Sequence, residues 1–280
     1  MQLIRYHPSA PLNTYVECLW WSQRDEPEAF GEHMLPSGNA QVIFALHDAP
    51  IICLPSSSSQ NSLAWSRGVV HGPQWRYYRS GPKPAGVTAG IALRPGAGEA
   101  VLGIPIAELT DRHVATEALW GARARDLREE LLAAREASGV FRILERDLRN
   151  RLKSPLIVHP AVARALTFPT DGRATRRVAN IQREAGYSPR HFIALFRAAV
   201  GLTPKHHFRV QRFTHVLRYL ARGSGERLAD LAASAGYSDQ AHLTREFREF
   251  AGITPTQYRP RDPNSALHHR AEGNKSSRPG

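Results

Sequence analysis

Thr244 and Arg245, with Gln240 one turn earlier, are the side chains of this 280-residue chain best equipped for specific polar recognition. A guanidinium presents a planar fork of donors that pairs bidentate with phosphate or guanine, and Thr and Gln add further hydrogen bonds. Other groups carry weaker chemical promise. His33, His47 and His71 could ligate a metal, but their spacing matches no compact ligand motif, so structural or surface roles fit better and neither metal nor cofactor is expected. Cys18 and Cys53 form no Cys-x-x-Cys pair and cannot make a disulfide framework; Cys18 has no basic neighbour to lower its pKa and reads as a buried thiol. Trp20, Trp21, Trp65, Trp75, Tyr77 and Tyr78 could line an aromatic pocket, with Trp20, Trp65 and Trp75 the candidate effector contacts, although core packing is the default for such residues. No catalytic constellation emerges, and the chain is read as a non-enzyme.

Charge is unevenly spread. Residues 1–159 carry 17 basic and 16 acidic side chains, whereas residues 160–260 carry 16 and 7. The formal net charge of +12 is therefore mostly one basic block, which favours a polyanionic partner, nucleic acid or an anionic membrane. Arg supplies 33 of the 37 basic residues, a bias that GC-rich genomes also produce. No stretch is long and apolar enough for a membrane span, and Met1–Pro8 lacks the apolar core of a signal peptide, so a soluble cytoplasmic protein is expected. The composition, 42% hydrophobic and 22% charged, excludes a disordered or collagen-like chain.

The recognition-competent residues sit inside an internal repeat. Val178–Tyr187 reads VANIQREAGY and Leu228–Tyr237 reads LADLAASAGY; each is followed by Ser, at 188 and 238. Gly201-Leu202-Thr203-Pro204 then matches Gly252-Ile253-Thr254-Pro255, so the second copy holds one extra residue just past the Ser. Val178, Ile181 and Ala185, like Leu228, Leu231 and Ala235, give the first helix of each copy one apolar face. Gly186 and Gly236 end those helices, and Ser188 and Ser238 are suited to cap the next. Phe192, Phe196 and Ala199, matched by Leu243, Phe247 and Phe250, form the inward stripe of the second helices, which Gly201 and Gly252 stop. Thr203-Pro204 and Thr254-Pro255 offer a cap and first-turn Pro for further helices; one spans about Pro204 to Arg222. Each copy is thus a helix-turn-helix unit.

These hundred residues resemble the DNA-binding domain of AraC/XylS-type transcription regulators. The string Ala235-Gly236-Tyr237-Ser238-Asp239-Gln240-Ala241-His242-Leu243-Thr244-Arg245-Glu246-Phe247, continued by Gly252-Ile253-Thr254-Pro255-Thr256-Gln257-Tyr258-Arg259, carries the match. The resemblance implies a seven-helix domain and a sequence-specific regulator that contacts double-stranded DNA. It assigns base reading to Arg190, Ile193 and Ala194 in the first unit and to Ala241, Thr244 and Arg245 in the second, Gln240 standing beside them. It places phosphate contacts near Arg197 and Arg248. Lys205, Arg209, Arg212 and Arg259, at or after the Thr-Pro caps, also suit the DNA backbone. Ile193 and Ala194 depart from the polar or Arg side chains frequent at those positions in the family, as Asn180 and Gln182 depart from small apolar residues. The alternatives for two of these residues are packing of Ile193 on a neighbouring helix and pairing of Arg245 with Glu246 or Glu249.

The expected fold class is α+β: an N-terminal domain over 1–153, β-rich through 1–110 and helical through 122–153, then an all-α domain over 160–260 and a disordered tail from 261 to 280. Residues 1–110 hold eleven of the twenty prolines, and short apolar runs (Gln41–Leu46, Ile51–Leu54, Val69–Val70, Trp75–Tyr78 and Val87–Leu93) bounded by Pro, Gly and Ser56–Ser59 read as strands. In the family such a domain is commonly a cupin-like β-barrel that senses an effector, here an unknown small molecule. Leu127, Leu131 and Ala134, then Phe141, Leu144, Leu148 and Leu152, form two helical stripes separated at Ser138-Gly139; they suit packing on the barrel or a homodimer interface. RNA polymerase is a further expected partner of such a regulator. The rival readings are a cupin-type metal-dependent enzyme with an accessory DNA-binding domain, and a DNA-binding regulator without a ligand.

Overall fold

A computed structural model of the chain describes residues 1–29, 31–55, 62–65, 67–152, 156–168, 174–184, 186–223, 227–261 and 265–270. The run Ser56–Ser59, Ala185 and residues 153–155 lie outside them. The N-terminal part contains β1 (Gln2–Tyr6), β2 (Val16–Arg24), β3 (Glu32–Met34), β4 (Gln41–Leu46), β5 (Ile51–Pro55), β6 (Leu63–Trp65), β7 (Gly68–His71), β8 (Tyr78–Ser80) and β9 (Gly86–Leu93). It continues through α1 (Gly98–Leu102), β10 (His113–Ala115), α2 (Thr116–Trp120), α3 (Ala122–Ala133) and α4 (Ala137–Arg151). The C-terminal part is helical: α5 (Pro160–Leu166), α6 (Ala174–Glu184), α7 (Pro189–Val200), α8 (Pro204–Ala221), α9 (Leu228–Ser234) and α10 (Gln240–Ala251), closed by β11 (His268–Arg270). The α+β organisation expected from the sequence is the one observed.

Two antiparallel sheets build the β-rich part, ordered β1-β2-β9-β4-β7-β10 and β11-β3-β8-β5-β6. One face of the first sheet carries Leu19, Trp21, Val42, Phe44, Ala89 and Ile91, aligned by register across β2, β9 and β4. The stripes of α3 and α4 bury Leu127, Leu131, Phe141, Leu144 and Leu148 in the same core. Those faces are therefore covered within the subunit, by its own sheet. The break between α3 and α4 falls at 134–136, with Glu136 as the cap, and not at Ser138-Gly139, which lie in the first turn of α4. Arg128, buried, fastens α3 to the sheet by donating to the carbonyls of Ala45 (2.7 Å) and His47 (3.1 Å), while Arg123 ties α3 to α4 through the buried Asp147 at 2.8 Å.

Four of the five expected strand runs match β4, β5, β7 and β9; Trp75–Tyr77 is loop and β8 starts only at Tyr78. In the C-terminal part, α8 is the spine. Its first turns share a core with α5, α6 and α7, and the remainder shares another with α9 and α10. Six helices, not seven, are present among the described residues: Thr254–Gln257 closes as a turn in which the Gln257 side chain accepts from the Thr254 backbone N–H at 2.9 Å, so Pro255 starts no helix.

The end of the chain also differs from the expected disordered tail, whose last residues, 271–280, lie outside the described set. His268–Arg270 pair antiparallel with Glu32–Met34, which extends the second sheet. A short polar segment with no apolar pattern of its own gains order from the partner strand and from the buried carboxylate of Glu32. That carboxylate binds Arg261 Nη1 at 2.6 Å, lies 2.8 Å from His268 Nδ1 and pairs with Lys83. Burial would raise the Glu32 carboxyl, but the His268 hydrogen bond and the Lys83 charge outweigh it and hold the group well below the usual carboxylate range. Stability from this pairing is then present above the unfolded Glu value of about 4.3 and lost as pH falls below it. Glu32→Gln should cost about 3 kcal/mol in chemical denaturation at pH 7, because it leaves Lys83 without its carboxylate and Arg261 with Glu28 alone, and should flatten the loss of stability as pH falls below about 4.3.

Candidate nucleic-acid interface

The helix-turn-helix units, α6–α7 and α9–α10, repeat each other bond for bond at the turn. Gly186 and Gly236 adopt left-handed φ values of +68° and +78°, which glycine reaches without a Cβ clash. The following Tyr N–H then returns to the first helix, Tyr187 to the Gln182 carbonyl and Tyr237 to the Ala232 carbonyl, both at 2.9 Å. This is the Schellman closure, and it fixes the angle at which each second helix departs. Ser188 caps α7, accepting from the His191 N–H at 3.2 Å. In the second unit the cap is Asp239, which accepts from the His242 N–H at 2.6 Å, and the expected cap Ser238 stands one residue outside. The extra residue of this copy puts a carboxylate where the helix N-terminus favours negative charge; the backbone hydrogen bond from His242 lowers the Asp239 carboxyl.

The inward stripes are buried: Phe192 and Phe196 in α7, Leu243, Phe247 and Phe250 in α10. Arg190, Ala194 and Arg197 are exposed on α7, and so is Ile193, at 41%. On α10, Gln240, Ala241, Arg245 and Arg248 are exposed; Thr244 is half-buried and its hydroxyl donates to the Gln240 carbonyl at 2.9 Å. All seven expected base-reading residues therefore lie on the outer faces of the two second helices.

The two glutamates beside Arg245 are engaged elsewhere. Glu246 is buried and points inward to α8, where Arg212 donates to both its oxygens at 2.9 Å and Arg209 to one at 2.7 Å. Arg209 also holds Glu249. Arg212 additionally reaches the Gly236 carbonyl at 3.3 Å and lies over the Tyr237 ring at 4.2 Å. With both glutamates occupied, Arg245 forms no ion pair among the described residues. The same geometry corrects the expectation for Arg209 and Arg212: their guanidinium groups are mostly buried and bind α10 to α8, which withdraws them from the set facing a phosphate backbone. Sequence reasoning missed this clamp because its partners lie 34 to 37 residues apart on different helices. Lys205, Arg197 and Arg248 remain exposed; Arg259 is exposed but bonded to the Thr256 and Tyr258 carbonyls at 2.8 and 2.9 Å.

The loop between β7 and β8 touches both units. A Cβ on Gly201, which ends α7, would lie 2.7 Å from Pro73, and one on Gly252, which ends α10, would lie 2.6 Å from the Tyr77 ring. The Tyr77 N–H donates to the Phe250 carbonyl at 3.1 Å, and the Trp75 indole stacks on His206 of α8 at 4.4 Å. The three candidate effector tryptophans are accordingly not gathered in one pocket. Trp75 serves this contact, Trp65 tilts over His113, and Trp20 covers the bare Cα of Gly90. His33, His47 and His71 do not converge either. His33 stacks on Tyr77 and His71 on Tyr78, while burial lowers the His47 imidazole beside Arg128.

Burial would raise the Glu246 carboxyl, but the Arg209 hydrogen bond and the Arg212 charge outweigh it and keep the group below its ordinary value. Glu246→Gln should therefore destabilise the C-terminal part by roughly 3 kcal/mol and speed amide hydrogen exchange in α10 more than in α7, measured by mass spectrometry.

Comparison with known proteins agrees with this geometry. Residues 181–261 match a family described as a helix-turn-helix domain, and residues 4–115 match a domain of unknown function (DUF6597). The HTH-type transcriptional activator RhaR of Yersinia pseudotuberculosis is 39% identical over 67 residues, 24% of this chain and 23% of its own length. An AraC-like transcription regulator of Streptomyces antibioticus is 34% identical over 104 residues, 37% of this chain and 34% of its own. The chain thus spans about a quarter to a third of the curated relatives it matches. Among solved structures, ToxT of Vibrio cholerae aligns with a TM-score of 0.45 at 12% identity, covering 84% of this chain and 96% of that one. Among the described residues, no helix is long and apolar enough to cross a membrane. The repeated turns and the match over 181–261 identify this part of the chain as a helix-turn-helix domain, similar to those of RhaR and of the AraC-like regulator.

Proposed function

We propose that this chain is a sequence-specific, DNA-binding transcription regulator of the AraC type, working in the cytoplasm and reading two adjacent major-groove segments about one helical turn, ~10 bp, apart. The observation that carries the proposal is the pair of exposed second-helix faces mounted on one α8 spine, with Arg245 left unpaired among the described residues by the Glu246 clamp. In this reading Arg245 pairs with guanine, and Thr244 and Gln240 add hydrogen bonds beside Ala241. The first unit relies on Arg190 and on apolar contact of Ile193 and Ala194 with thymine methyl groups. Arg197, Lys205, Arg248 and Arg259 supply phosphate contacts.

The N-terminal part acts as the regulatory domain, responding to a small molecule and transmitting the response through the Pro73–Tyr77 loop to both units. RNA polymerase is the natural second partner. A homodimer would use a surface other than the apolar stripes of α3 and α4, which the subunit's own sheet covers.

Selection of bound duplexes from a random library by the full-length protein at physiological salt should enrich two short blocks about 10 bp apart. No enriched motif, together with a steep salt dependence, would reduce the domain to a non-specific polyanion binder. Arg245→Ala should relax base preference within one block, at a cost of about 1–3 kcal/mol for the preferred base, and leave the other block intact. Lys205→Ala should weaken all sequences alike and lower the slope of log affinity against log salt by about 1.

A further inference from the structure

His71 on β7 and His113 on β10 are directly paired across the first sheet, so their imidazoles leave the same face. That face turns away from α3 and α4 and toward the second sheet, where Cys53 of β5 meets them. One ligand atom of each residue lies within 4.8 Å of the other two, and the two Nδ1 atoms face each other at 2.5 Å. Cys53 is 1% exposed and His71 5%. The surroundings are aromatic: Tyr78 stacks on His71 at 5.1 Å and meets His113 edge-on at 4.7 Å, and Trp65 tilts over His113 at 5.9 Å. The Gln74 amide nitrogen sits 3.2 Å from His113 Nε2.

Two facing Nδ1 atoms can share at most one proton, whereas a cation between them satisfies both lone pairs at once. A tetrahedral ion with bonds of about 2.0–2.1 Å to nitrogen and 2.3 Å to sulfur sets its ligands roughly 3.3–3.6 Å apart, so movements of about 1 Å would complete the arrangement. The donor set, one thiolate and two imidazoles, suits borderline and soft transition metals and not magnesium or calcium. Three protein ligands leave a fourth position. A cavity of about 50 Å³, enough for a water, lies beside His71 and is also lined by Gln74, Tyr78, Leu267 and His268.

We propose that Cys53, His71 and His113 bind one divalent transition-metal ion of the zinc class. Binding forms one metal–sulfur and two metal–nitrogen bonds and releases the thiol proton to solvent. The site does not depend on the DNA-binding reading, because all three ligands belong to the β-rich part.

Chelator-treated full-length protein titrated with Co²⁺ tests the assignment. The wild type should take up one Co²⁺ per chain and develop a thiolate-to-cobalt charge-transfer band in the near ultraviolet, which Zn²⁺ then abolishes by displacement. Cys18→Ser should retain the band. Cys53→Ser should lose it, and His113→Gln should weaken cobalt affinity by about tenfold or more. Far-ultraviolet circular dichroism establishes that each variant is folded. Should folded wild type give no band at stoichiometric cobalt, or should the band survive Cys53→Ser, the site does not exist as assigned; the wild-type result decides even where a variant fails to fold.

Discussion

Burying one carboxylate, that of Glu246, sets where the second recognition helix lies. Desolvating an anion costs several kcal/mol, and only well-aligned cations offset that cost. Arg212 meets both oxygens and Arg209 one of them, and the two guanidinium groups are in turn held over Tyr237 and Phe250 at 4.2 and 4.9 Å. Such an arrangement tolerates little rotation or sliding of α10 on α8, since either would strip partners from a charge that water cannot reach. Its by-product is functional: two basic residues are taken out of circulation and the next, Arg245, is left facing outward.

The first unit cannot use the same device. With the 51-residue offset, Glu246 and Glu249 correspond to Leu195 and Ala198, neither of which can pair with a guanidinium. There α7 is seated by rings instead, Phe196 against Phe208 at 6.2 Å and against the buried His207 at 5.5 Å. Burial takes the His207 imidazole to about 4, which keeps this packing uncharged at neutral pH. The two units share their turns but are fastened differently, one by directional charge and one by shape. Their recognition faces differ in parallel: Thr244 and Arg245 are polar where Ile193 and Ala194 are apolar.

Local signals were the legible ones. The turn glycines, Ser188, Thr203 and the apolar stripes placed α7, α8 and α10 and sorted their inner from outer faces, because each depends on residues three or four apart. What the sequence concealed depends on distant partners. β11 has no pattern of its own and exists through Glu32 and β3, more than two hundred residues away in sequence. β2, the longest strand, mixes apolar, polar and charged residues along Val16–Arg24, so no short apolar run marked it. The one-residue shift of the α10 cap from Ser238 to Asp239 was present in the sequence as the extra residue, yet only geometry shows that the carboxylate takes the cap. The aromatic residues were the least legible, since a Trp that packs on a bare glycine and one that stacks on a histidine look alike in sequence.

The glycines that stop the two recognition helices have a second use. Gly201 and Gly252 take φ values of +85° and +72°, as a helix C-terminus requires, and both also lie against the N-terminal part. Pro73 and Tyr77 belong to one six-residue connection, flanked by His71 at the end of β7 and Tyr78 at the start of β8. A displacement of this loop therefore acts on the ends of both recognition helices together, and through Trp75 on the start of α8. Packed interfaces of this kind respond by switching between discrete arrangements, not by bending continuously. In the proposed reading, the relative setting of the two units is then answerable to whatever moves the strands on either side of that loop.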